Sequence, residues 1–225
     1  MRGGRETGMR KSKKAERQGD VEVGRPGRRE RRRAETRERL FRAALGLFAQ
    51  RGFQATTVEQ ITEAADVGKG TFFNYYPSKE HVLAAFGDMQ LGKFQAELAS
   101  HSDQEPVGEM LRHALSALSE EPGRSAALVR SLLGAQLASE EVRKLILEKL
   151  GRARELLGRV FRLAQERDEI RPGLDVNALA MAFQQMFFGG LFLWSLTPEE
   201  KLAERQGRAF ELFWLGIAQK QEKKP

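Results

Sequence analysis

Apolar residues recur along most of this chain at helical spacing. Leu40, Phe41, Ala44, Leu47 and Phe48 fall at i, i+1, i+4, i+7 and i+8, which is one face of a helix. Gly52 ends that first helix. Thr56-Thr57 then precede Val58, Ile61 and Ala65, and Thr57 with Gln60 has the spacing of a capping box, in which each side chain satisfies an N–H left free at the helix start. The second helix closes near Asp66-Val67-Gly68. Residues 69–76 span about two turns before Pro77, which biases Tyr76 away from helical angles. Ser78 is placed to cap a fourth helix whose buried stripe begins Val82, Phe86, Met89.

Beyond this the chain reads as helix after helix, punctuated at Pro106, at Pro122-Gly123 and at Arg171-Pro172-Gly173. Val142, Leu145, Ile146, Leu150, Ala153, Leu157, Val160, Phe161 and Ala164 predict one long amphipathic helix. A strongly apolar helix follows over 174–196. Thr197-Pro198-Glu199-Glu200 has the composition of a helix start, and a last helix over 199–219 runs to about Lys220, ahead of a frayed Lys/Gln/Glu end. No stretch alternates like a strand and none repeats. The expected fold is all-α: an N-terminal three-helix head and a C-terminal helical domain, divided at 94/95.

Charge changes the picture at one end only. The chain has 225 residues and a net charge of +7, yet residues 1–33 hold 13 Lys/Arg against 5 Asp/Glu while the remainder is close to neutral. With Val21 and Val23 as its only branched aliphatics, this tail buries too little surface to offset its ordering entropy, and 1–33 is expected to be disordered. Zero cysteine excludes disulfides, thiolate zinc sites and cysteine nucleophiles. His81, His101 and His113 show no metal-ligand spacing, so no metal site is expected. The nearest candidate for a membrane span, 181–196, is shorter than the about 20 apolar residues required and contains Gln184 and Gln185. A soluble, cytoplasmic protein with no membrane partner is expected.

Two short helices joined by a tight turn, with a first helix across them, make a helix-turn-helix over about 57–76, whose second helix can enter a DNA major groove. The side chains suit that work: Lys69, Thr71, Asn74, Tyr75 and Lys79 offer donors to phosphates or base edges, while Phe73 and Tyr76 suit packing. Over residues 34–94 the chain resembles the tetracycline-repressor (TetR) family of bacterial transcription regulators. The resemblance is carried by Leu40, Ala43-Ala44, Leu47-Phe48, Arg51-Gly52-Phe53, Thr56-Thr57-Val58, Ile61, Ala64-Ala65, Val67, Lys69-Gly70-Thr71-Phe72, Tyr75-Tyr76, Ser78-Lys79-Glu80 and Leu83. It implies phosphate contacts from Thr57 and Lys79. It also implies a recognition helix over 69–75 that brings Lys69, Gly70, Thr71, Phe72 and Asn74 to DNA, with Tyr75 on the backbone or a thymine methyl. Two residues depart from the family pattern: Asp66 stands in the turn where glycine is frequent, and Phe73 where tyrosine is. Residues 34–80 carry six basic and six acidic side chains, so the +8 tail is a candidate source of nonspecific attraction to DNA, with a solvated tail or an overlong start as the alternative.

Residues 95–225 match the same family only in plan, which implies a helical domain that binds a small-molecule effector and dimerises. Phe187, Gly190, Leu191, Trp194, Phe210, Phe213 and Trp214 are the candidate dimer anchors, with Gly189-Gly190 allowing close helix approach; intramolecular core is the alternative. Gln136, Met181, Gln184, Gln185 and Phe188 are candidate effector-pocket residues, again with ordinary core as the alternative. His113, on an apolar stretch, reads as a satisfied buried or boundary histidine. No cofactor is expected, and no glycine-rich phosphate loop or nucleophile–base pairing points to an enzyme. The function expected is a ligand-released homodimeric repressor on a pseudopalindromic double-stranded DNA operator. The alternative is a helical protein that binds nucleic acid or anionic surfaces nonspecifically through its tail.

Overall fold

The computed structural model describes residues 27–102 and 104–219. Among these the fold is all-helical, with a single isolated bridge between Ile170 and Ala218. The helices are α1 Arg28–Arg51, α2 Val58–Ala64, α3 Lys69–Phe73, α4 Lys79–Ser100, α5 Val107–Glu120, α6 Ala126–Ala138, α7 Glu140–Glu166, α8 Val176–Leu196 and α9 Leu202–Ile217.

Local chemistry accounts for the head. Gly52 ends α1 at φ 82°, an angle that side-chain-bearing residues avoid. The capping box forms as its spacing predicts, with Thr57 Oγ1 accepting from the Gln60 N–H and the Gln60 side chain accepting from the Thr57 N–H. Asp66 takes φ 51°, so an aspartate supplies the left-handed turn residue between α2 and α3. α3 is shorter than 69–76: it ends at Phe73, Asn74 and Tyr75 form a turn, and Tyr76, which precedes Pro77, is no longer helical. Ser78 occupies the N-cap position of α4, but its hydroxyl pairs with His81 Nδ1 at 3.0 Å rather than with a backbone N–H.

Three boundaries differ from expectation. α1 begins at Arg28, so residues 28–33 are helical; 1–26 and 220–225, with the expectations placed on them, lie outside the described residues. The expected division at 94/95 falls inside α4, which continues to Ser100. α9 starts at Leu202 rather than at Thr197-Pro198. There Glu200 instead accepts from Arg205 Nε at 2.8 Å and pairs with Arg208, and its backbone carbonyl accepts from Trp194 Nε1 at 2.8 Å.

Two main cores result. The head buries Leu40, Phe48, Phe53, Ile61, Phe72, Tyr76 and Val82, and this core runs on into Leu128, Ala135 and Val142 of α6 and α7. The larger core joins α4, α5, α7, α8 and α9 through Phe94, Leu111, Leu115, Phe161, Phe183 and Phe210. α8 corrects the membrane argument in its length: its 21 residues are long and apolar enough to cross a bilayer. Here it is packed among α6, α7 and α9, with Phe183, Leu191 and Trp194 buried.

Candidate nucleic-acid interface and apolar cavity

The outer edge of α2–α3 is held on the head core by Ile61 and Ala65 before the turn and by Phe72 and Tyr76 after it. Phe72 is fully buried, with Phe73 edge-on to it at 5.4 Å and Tyr76 5.7 Å away. Phe72 therefore anchors the segment and cannot touch DNA, which corrects its assignment as a contact residue. Phe73 meets the packing expectation only in part: one side of its ring packs against Phe72, while nearly half its surface is exposed and presents an apolar ring beside Asn74. Tyr76 is buried as expected. Burial pushes its phenol pKa up, while the Arg37 guanidinium, 5.9 Å from the ring centre, opposes that shift.

Thr57, Lys69, Gly70 and Asn74 are exposed, and Thr71 and Tyr75 are half-buried. Lys69 Nζ pairs with the Glu59 carboxylate across the turn, and this contact holds the Glu59 carboxyl below the ordinary carboxylate range. Lys79 behaves differently from its neighbours. Its ammonium donates to the carbonyls of Phe53 at 2.9 Å, Gln54 at 3.3 Å and Thr56 at 2.9 Å, and sits 4.5 Å from the centre of the Phe53 ring. These contacts staple the loop between α1 and α2 to the start of α4, so the donors expected to meet a phosphate are spent inside the fold.

The positive charge missing from 34–80 lies on the extension of α1. Arg28, Arg29, Arg32 and Arg33 line a shallow surface with Thr36 and Tyr75, so a basic row continues from the recognition edge. Residues 28–33 hold five arginines and one glutamate. The sequence signal was a run of good helix formers without glycine or proline after Gly27; with no apolar stripe to mark it, periodicity missed it.

A second feature is a partly open apolar cavity. α4, α6, α7 and α8 surround a cavity of about 170 Å³ walled mostly by aliphatic and aromatic side chains, among them Phe86, Phe94, Leu132, Leu133, Ile146, Leu150, Phe183 and Phe187. Gln136, Gln184 and Phe188 line it; Met181 and Gln185 do not, being exposed on the opposite face of α8. Gln184 has little left to offer a ligand, since its oxygen accepts from Arg154 Nε at 3.0 Å and its nitrogen donates to the Leu150 carbonyl at 2.8 Å. Gln90, which sequence reasoning missed, donates to the Leu118 carbonyl at 2.9 Å, and its Oε1 is buried at the cavity wall with no hydrogen-bond partner among the described residues. At the rim Lys149 pairs with Asp88 at 2.6 Å.

The expected dimer anchors belong to the interior of one chain. Leu191, Trp194 and Phe210 are buried, and Phe187, Phe213 and Trp214 pack against the larger core. Gly190 does serve a close helix approach, but within the chain: a Cβ there would lie 2.6 Å from Gln206 Oε1. The outward stripe is a different set, Met181, Phe192, Leu193 and Leu196 of α8 with Leu212 and Leu215 of α9.

Residues 40–86 match the family described as bacterial regulatory proteins, tetR family. The chain is similar to the HTH-type transcriptional regulator TcmR of Streptomyces glaucescens, with 32% identity over 64% of this chain and 66% of that protein. It is also similar to the HTH-type transcriptional repressor KstR of Rhodococcus jostii, with 26% identity over 71% of this chain and 73% of that protein. Among solved structures it is similar to Thermus thermophilus FadR, a TetR-family transcriptional repressor in complex with lauroyl-CoA. That likeness has a TM-score of 0.63 and 30% identity, and covers 84% of this chain and 98% of that one.

Proposed function

This chain belongs to the tetR family of bacterial regulatory proteins, DNA-binding regulators of transcription, and from that premise we propose that it acts as a homodimeric repressor in the cytoplasm, released from a pseudopalindromic operator by a small molecule with an apolar body. The DNA half of this reading is carried by the continuous surface that runs from the α1 arginines through Tyr75 to Asn74, Phe73, Thr71 and Lys69. Arg28, Arg29, Arg32 and Arg33 meet phosphates beside the groove that α3 enters. Thr57 contacts the backbone, Asn74 suits an adenine edge, and the Phe73 ring suits a thymine methyl. Lys69 reaches DNA by exchanging Glu59 for a phosphate.

Two heads on a two-fold dimer read half-sites one helical turn, about 34–36 Å, or more apart. The exposed apolar stripe of α8 and α9 is the surface such a dimer buries, because six large apolar side chains on one face are left uncovered by the described residues. The effector sits in the cavity. Its walls suit an alkyl or acyl chain, and the unpartnered Gln90 Oε1 suits a donor on the ligand. Thermus thermophilus FadR, with lauroyl-CoA bound, supports a fatty acyl thioester as the first candidate.

The test is selection of random or genomic DNA by the purified protein at about 0.15 M salt, where nonspecific binding is weak. The recovered site is then titrated with lauroyl-CoA. The expected result is one inverted repeat, released on addition of the thioester. Recovery of DNA without any shared motif would overturn the repressor reading in favour of nonspecific binding through the basic N-terminal segment. Recovery of a repeat that the thioester leaves bound would overturn the choice of effector.

A further inference from the structure

We propose that His101, Glu105 and His113 form a site for one divalent first-row transition ion, zinc or its Co²⁺ and Ni²⁺ analogues, at the joint between α4 and α5. Three ligand atoms converge there. His101 Nε2 lies 3.1 Å from His113 Nδ1 and 3.7 Å from Glu105 Oε1, and His113 Nδ1 lies 3.4 Å from that same oxygen. A triangle with these edges has its centre about 2.0 Å from every corner, close to the about 2.0–2.2 Å at which zinc holds imidazole nitrogen and carboxylate oxygen. The three atoms already stand where an ion would hold them.

The surroundings fix two of the ligands. His101 Nδ1 is hydrogen-bonded to the backbone carbonyl of Glu97, which sets the tautomer and leaves the Nε2 lone pair facing the cluster, as metal-binding histidines require. Its side chain is 8% exposed, so the ring is held by packing as well. Glu105 is anchored through its backbone: Arg167 Nη1 donates to its carbonyl at 3.0 Å, and two residues on the Val107 N–H donates to Glu169 Oε2 at 2.7 Å. His113 lies on the open side, with its side chain 46% exposed, which gives an ion an entry path and a fourth position for water.

The donor set selects the class of ion. Two imidazoles and one carboxylate suit zinc, cobalt and nickel better than calcium or magnesium, which prefer all-oxygen shells. Without an ion, the 3.1 Å contact between the rings requires a hydrogen on one of the facing nitrogens. Because His101 carries its own on Nδ1, that hydrogen sits on His113 Nδ1. Ion binding moves it to His113 Nε2, and Arg112, 3.4 Å from that nitrogen, is retained by Glu109. The sequence hid the site because one histidine ends α4, the glutamate lies in the connection, and the other histidine is two turns into α5.

The experiment uses the full chain without an affinity tag, stripped with chelator and titrated with Zn²⁺ by calorimetry and with Co²⁺ by visible absorption. One equivalent should bind, with Co²⁺ showing ligand-field bands and Zn²⁺ raising the melting temperature. His113→Ala, at a half-exposed position, and Glu105→Gln should each weaken binding by about tenfold or more, at least what loss of an outer-shell partner costs, with circular dichroism unchanged. His81→Ala, which removes the remaining histidine, should leave binding intact. Absence of saturable binding in the unmodified protein, or binding that survives both His113→Ala and Glu105→Gln, would overturn the site. If either ligand variant fails to fold, the other decides.

Discussion

Replacing Lys79 by methionine separates a stapling lysine from a phosphate-binding one. Methionine keeps most of the stem against Phe53 but removes the ammonium that serves the carbonyls of Phe53, Gln54 and Thr56. A hydrogen bond to a charged group contributes about 1.5–3 kcal/mol, and three such bonds are not additive. Gln54 is exposed, and its carbonyl turns to water at little cost. The Phe53 and Thr56 bonds are half-buried; when the donor is removed the Phe53 carbonyl keeps the Thr56 N–H at 3.3 Å, whereas the Thr56 carbonyl is left poorly solvated. Together with the cation–π contact of about 0.5–1 kcal/mol, a loss of about 2 kcal/mol is expected after discounting for water. At this chain length 1 kcal/mol corresponds to about 2–4 °C, so Tm should fall by about 4–8 °C in differential scanning calorimetry. The second measurement is operator binding by fluorescence anisotropy across a salt series. A lysine spent inside the fold releases no counterion from DNA, so the slope of log K against log salt should match that of the unmodified protein even where affinity drops. An unchanged Tm together with a slope shallower by about one unit, the signature of a side chain that had been neutralising one phosphate, would refute the staple.

Other surfaces give equally direct tests. Changing Arg28, Arg29, Arg32 and Arg33 together to alanine should flatten the salt dependence of operator binding by up to about 0.9 for each phosphate these arginines neutralise; equal slopes would remove these residues from the interface. Glu59→Gln frees Lys69 and takes a negative charge from the DNA-facing edge, so operator affinity should rise a few-fold at neutral pH. Because the Glu59 carboxyl titrates below its ordinary range, the pair contributes above that range and is lost only as pH falls through the lowered value, so mildly acidic buffer should not reproduce the gain. Leu212→Glu with Leu215→Glu, both about three-quarters exposed, should convert a dimer to folded monomer in light scattering and abolish operator binding; a persisting dimer would place the interface elsewhere. Leu133→Trp, filling the cavity from α6, should leave operator binding unchanged while blocking release by lauroyl-CoA; normal release would move the effector out of this cavity.

What the sequence made legible follows the range of each physical cause. The end of α1 at Gly52, the Thr57–Gln60 capping box and the left-handed Asp66 are decided by backbone chemistry within three or four residues, and a linear reading reaches them. Facing is a different matter where a helix is apolar all round. On α8, Leu191 is buried and Phe192 exposed, a single step of about 100° apart. Composition alone cannot tell which flank meets α9 and which meets solvent, so the expected dimer anchors were the inner set. Lys79 was hidden for another reason, because its acceptors lie 23 to 26 residues earlier and only folding brings them near.

The start of α1 is the case in which the missed element bears most on function. Residues 28–39 bury no large side chain, so periodicity is silent there, and helix formers supported by local pairs such as the Gly27 N–H to Glu30 bond carry the helix instead. A disordered basic arm pays its ordering entropy when it meets DNA. Arginines fixed on α1 have lost that backbone freedom on folding, and they stand at set distances from Tyr75. In the proposed complex, phosphate contact by this row would fix the angle at which α3 enters the groove, so the same charges that attract DNA would also help set the register in which it is read.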